Sequence, residues 1–88
     1  MAKGTRIGPS MYEALRMVDR AGGAVGAKLD LAELVGPNGS RKYGYEIVDR
    51  CLGAGLLVID PQHPASQGRR GGGAVVLTEA GRQALEDA

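Results

Sequence analysis

The chain has 88 residues, 15 of them glycine, and neither Phe nor Trp. That length allows one small domain. Its core must come from Leu, Val, Ile, Met, Ala and three tyrosines, which leaves little room for a deep substrate pocket in a domain of marginal size. A net charge of +1 speaks against a histone-like binder, whose charge would be basic throughout.

Residues 1–8 read as a flexible arm and residues 9–88 as the folded domain. The opening "MAKGTRIGPS" has no apolar core behind its basic residues, so it is not read as a signal peptide. Ser10 and Glu13 form a capping-box pattern after Pro9, and Met11, Ala14, Leu15 and Val18 follow at helical spacing up to the stop at Gly22-Gly23. Ala24 to Leu29 is a short extended candidate. Asp30 and Glu33 repeat the capping pattern, Leu31, Leu34 and Val35 supply an apolar face, and Gly36-Pro37 ends that second helix. Asn38-Gly39 turns the chain, and Ser40 caps a third helix that runs over about 40–54. In it Ile47, Val48, Cys51 and Leu52 face inward, while Arg41, Lys42, Tyr45, Glu46 and Asp49 fall largely on the other side. Gly44 costs about 1 kcal/mol relative to Ala inside a helix, so the spacing predicts a close approach there by another helix or by a ligand.

Leu56 to Asp60 and Ala74 to Thr78 read as strands, joined by the connection 61–73. Tight hairpins use two to five residues, so this connection is expected to be functional, disordered, or both by turns. Thr78 then caps a closing helix, Glu79 to Glu86. Two helices joined by a short glycine-containing turn follow the helix-turn-helix plan. With a third strand pairing with the hairpin, the order reads as an α+β winged helix-turn-helix: a three-helix core, a small antiparallel sheet with a β-hairpin wing, and a short C-terminal helix.

Enzyme chemistry finds no support. No glycine is followed by Lys and Ser or Thr at P-loop spacing, and a dinucleotide fingerprint starting at Gly71 and Gly73 would need glycine at Val76. The single Cys51 excludes an internal disulfide framework and fits a reducing, cytoplasmic compartment; it reads as a buried, inert thiol. His63, the only histidine, reads as a solvated loop residue. One His, one Cys and scattered acids have no metal-ligand spacing. No catalytic residue, metal or cofactor is expected. The longest apolar run, Leu56 to Ile59, is too short to span a membrane.

The stretch "IVDRCLGAGLLVIDPQ" from Ile47 to Gln62, followed by two arginines and then "VVLTEAGRQAL", resembles the core of the MarR-type winged-helix transcription regulators. In that family a recognition helix ends in an apolar-Asp-Arg pattern that leads to Gly-Leu. A basic-tipped wing follows, and then a strand ending in Leu-Thr-x-x-Gly. Val48-Asp49-Arg50, Gly55-Leu56 and Leu77-Thr78-Glu79-Ala80-Gly81 stand in those places. The likeness covers about residues 10–85 in order of elements and 47–81 in motif. Counterparts of the family's extra dimerising helices are not read in these 88 residues, so the likeness is expected to be to a minimal, single-domain form.

The reading implies double-stranded DNA as partner, with the third helix in the major groove. Arg41 suits guanine, Ser40 and Lys42 suit phosphates, Tyr43 or Tyr45 suits phosphate or sugar unless the core claims it, and Glu46 suits cytosine or discourages wrong sequences. Arg50 is expected to pair with an acid such as Asp49 or Asp60. In the wing, Gln67, Arg69 and Arg70 are expected on the backbone or in the minor groove. A homodimer, through the first or last helix, would help tight operator binding. The alternative is a winged helix that grips a protein partner and does not bind DNA; the modest net charge and the acids Glu46 and Asp49 favour it.

Overall fold

The computed structural model describes residues 7–66 and 73–87. Among them the chain forms four α-helices and a three-stranded antiparallel sheet, an α+β arrangement. Helix α1 spans Pro9–Arg20, strand β1 Ala24–Val25, α2 Lys28–Val35, α3 Arg41–Gly53, β2 Leu57–Asp60, β3 Ala74–Leu77 and α4 Glu79–Asp87. A single 3-10 turn, Pro37–Gly39, links α2 to α3.

The sheet order is β1-β3-β2, so the strand formed last in sequence lies in the centre. β2 and β3 pair as a hairpin from Leu57 opposite Leu77 to Asp60 opposite Ala74, and β1 adds Ala24 opposite Val76 and Val25 opposite Val75. Alternation along the strands sends Leu57, Val75 and Leu77 into the core, where all are buried, and leaves Val58 exposed on the other face. The core is completed by Ala14, Leu15 and Val18 from α1, Leu31 from α2, Ile47, Val48 and Cys51 from α3, Leu56, and Ala84 from α4. No tyrosine joins it: Tyr12 and Tyr45 are half-buried and Tyr43 is exposed. Short aliphatic side chains fill the interior instead. No helix among the described residues is long and apolar enough to cross a membrane.

Two of the expected helix starts are displaced. Helix α1 begins at Pro9 with Gly8 as its N-cap, and Ser10 makes no capping bond; the fixed φ of proline suits the first helical position. Helix α2 begins at Lys28 after Ala27, so Asp30 lies within the first turn, where its charge complements the helix dipole without capping. The extended stretch shrinks from Ala24–Leu29 to Ala24–Val25, because α2 already begins at Lys28 and carries Leu31 into the core. The other two caps form as expected. Ser40 Oγ accepts from Tyr43 N at 3.4 Å, and Thr78 Oγ1 accepts from Gly81 N at 3.0 Å.

Candidate nucleic-acid interface

The geometry of α3 is set by how closely it lies on α2. A Cβ at Gly44 would overlap the backbone carbonyl of Ala32, so the glycine marks a helix-to-helix approach. The connection is equally tight: Asn38 takes a left-handed conformation (φ 57°), and Gly36 lies against the carbonyl of Ser40. Asn tolerates that backbone region better than most residues. These contacts fix where the first turn of α3 stands relative to the end of α2.

The outward side of α3 carries Arg41, Lys42, Tyr43, Glu46, Asp49 and Arg50, all exposed. Tyr45 departs from the expected polar side. It is half-buried, and the ammonium of Lys28 stands 5.3 Å from its ring centroid. Lys28 also pairs with Asp49 at 2.5 Å, so one cation at the start of α2 engages both a ring face and an acid of α3. Arg41 Nε donates to Glu33 Oε2 at 2.8 Å. Arg50 pairs with neither expected acid: Asp49 is held by Lys28, and Asp60 Oδ1 accepts from Gln62 N at 2.9 Å. Among the described residues, Lys42 and Arg50 carry no ion pair.

The hairpin ends of the connection 61–73 adjoin: Asp60 stands opposite Ala74, and buried Gly73 lies against Pro61. The connection starts with local turns, in which His63 O accepts from Ser66 N at 2.9 Å and His63 Nδ1 accepts from Ala65 N at 3.0 Å. His63 is thus a partly buried turn residue with its Nδ1 in use. Gln67, Arg69 and Arg70 lie outside the described residues, as do residues 1–6 of the expected arm.

Two side chains of this surface were not legible as part of it, Lys28 and Glu33. Both sit on α2 and reach α3 only because the Gly44–Ala32 approach sets the register between the helices. Elsewhere, α1 and α4 flank an open cavity of about 320 Å³ lined by Tyr12, Arg16, Asp19, Arg82, Leu85 and Glu86. Comparison with protein-family models, curated proteins and solved structures gave no match.

Proposed function

We propose that the chain is a winged helix-turn-helix module that binds duplex DNA in a sequence-dependent way and serves as a small transcription regulator. Helix α3 enters the major groove with Ser40, Arg41, Lys42, Tyr43 and Glu46 toward the bases and backbone, and the connection 61–73 follows the backbone or minor groove with Arg69 and Arg70. One observation carries the reading. The sheet closes in the order β1-β3-β2 around a hairpin whose connection contains two arginines, and it packs against a tight helix pair whose second member exposes Arg41 and Lys42. The MarR-type likeness of residues 47–81 supports the same fold. Tyr45 is a weaker candidate for contact, since Lys28 stands at its ring.

A protein-binding role for the same surface is the second reading, favoured by Leu34 and Tyr43, which are 58% and 54% exposed. Salt separates the two. Each phosphate neutralised contributes about −0.9 to the slope of log K against log salt, whereas an apolar partner contact is nearly indifferent to salt. A mobility-shift titration at two salt concentrations should show steeply salt-dependent binding by the wild type and a shallower slope for an Arg41/Arg69/Arg70 triple alanine variant. Equal behaviour of the two proteins would overturn the DNA reading. A single module of this kind buries roughly 600–1,000 Å² on DNA, so tight operator binding calls for two copies on paired half-sites. Sedimentation at binding concentrations should then show a dimer on a duplex that carries paired half-sites.

A further inference from the structure

Resting on the DNA-binding reading above, we infer that Glu33 is a specificity-determining positioning residue: it holds Arg41 so that the free end of the guanidinium reads a guanine. The bond that carries this is Arg41 Nε to Glu33 Oε2, 2.8 Å, made across the helix-turn-helix between the last turn of α2 and the first residue of α3. A guanidinium has donors on its Nε side and on its terminal Nη pair. With Nε committed to the carboxylate, the Nη1/Nη2 end is the edge left for the O6 and N7 acceptors that guanine shows in the major groove.

The frame behind the bond is closely packed. Gly36 lies against Ser40 and Gly44 against Ala32, so the backbones of α2 and α3 approach closely and set Glu33 within reach of Arg41. Both side chains are well exposed, Arg41 at 65% and Glu33 at 42%. Exposed pairs of this kind add little to folding, so the consequence of the bond is orientation of a long, otherwise free side chain. It costs no access, because the exposed guanidinium stands on the outward face of the helix. Electrostatics alone predicts the opposite outcome. An acid beside a phosphate backbone weakens binding to every duplex, so its removal should tighten binding uniformly.

The experiment starts from a duplex selected from a random pool by the wild-type protein. Each G·C pair is then replaced in turn by A·T, and the wild type, Glu33→Ala, Glu33→Gln, Arg41→Ala and the double alanine variant are titrated on every duplex and on a random duplex. One G·C pair should cost the wild type roughly 10-fold to 100-fold when replaced, the scale of one bidentate arginine–guanine contact. Glu33→Ala should lower that discrimination by about 2-fold to 5-fold, the scale of one exposed ion pair, while binding the random duplex as tightly as the wild type or more tightly. Arg41→Ala should lose the discrimination altogether, and the double variant should lose no more than Arg41→Ala alone. Glu33→Gln should keep most of it, because the amide oxygen still accepts from Nε–H. Thermal melts of all four variants should match the wild type, which removes misfolding as an explanation. Full discrimination by Glu33→Ala beside a loss in Arg41→Ala overturns the positioning role and leaves the DNA reading standing. Full discrimination by Arg41→Ala removes both residues from base reading with the same consequence. Failure of the wild type to enrich any sequence overturns both proposals together.

Discussion

At the scale of single residues, the two least conspicuous positions in α3 carry the most structural information. Gly44 is expensive in a helix by propensity alone, by about 1 kcal/mol relative to Ala, so an exposed Gly44→Ala change would stabilise. Here the added methyl meets the Ala32 carbonyl, which is backbone and cannot swing aside. The overlap forces α2 off α3, and Gly44→Ala should destabilise by about 1–3 kcal/mol in urea unfolding. Cys51 is fully buried, and burial pushes its thiol from 9.0 up to about 11. At neutral pH it is protonated whether the chain is folded or not, and it contributes no pH dependence there. Above pH 9 the unfolded thiol ionises while the folded one holds its proton, so stability falls between about pH 9 and pH 11. At about 1.4 kcal/mol per pH unit the loss approaches 2–3 kcal/mol across that window. Urea midpoints of the wild type should therefore drop more steeply over this range than those of Cys51→Ala, whose remaining titrations are shared. The same burial should keep the thiol unreactive toward disulfide reagents in the native protein at neutral pH.

At the scale of elements, the starts of α3 and α4 were readable and those of α1 and α2 were not, for a local reason. Ser40 follows a turn and takes extended backbone just before its helix, Thr78 directly follows β3, and both hydroxyls accept capping bonds. In α1 and α2 the helix begins two residues before Ser10 and three before Asp30, counting the N-caps Gly8 and Ala27. Pro9 at the first position, and the need to carry Leu31 beneath α3, decide those starts. The capping side chain cannot announce either. Site residues show the same division. Periodicity finds the exposed face of α3, but the Lys28–Asp49 and Glu33–Arg41 pairs depend on inter-helix register, which periodicity does not contain. Of the two caps, Thr78 should matter more. Its hydroxyl donates to Gly55 O at 2.7 Å while accepting from Gly81 N at 3.0 Å, so it ties the β3–α4 junction to the turn after α3. Thr78→Val should cost about 1–2 kcal/mol and Thr78→Ser far less. Ser40→Ala, which removes a long 3.4 Å bond, should cost about 0.5 kcal/mol. Chemical denaturation of the three variants checks the order.

At the scale of the whole molecule, the proposed binding is divided between α3, which also supplies Ile47, Val48 and Cys51 to the core, and the connection 61–73, whose share can be tested separately. β3 is the central strand: it pairs residues 74–77 with both Leu57–Asp60 and Ala24–Val25, and two of its side chains, Val75 and Leu77, belong to the core. Folding therefore requires the chain to close the connection between Asp60 and Ala74, and among the described residues none of 61–66 belongs to the core cluster. The closing entropy scales as about (3/2)RT ln n. Replacing residues 62–72 by a four-residue Asn/Gly turn, with Pro61 and Gly73 kept in contact, should leave the melting temperature unchanged or raise stability by about 1 kcal/mol. The same replacement removes Arg69 and Arg70. If each neutralises one phosphate, the slope of log K against log salt should become shallower by about 1.8, and affinity at low salt should fall while α3 keeps its preference for the same base pairs. Anisotropy titrations across a salt series, run beside thermal melts, read both quantities on one preparation. A protein that melts like the wild type and retains its salt slope would remove the connection from the DNA surface and leave α3 as the sole reader.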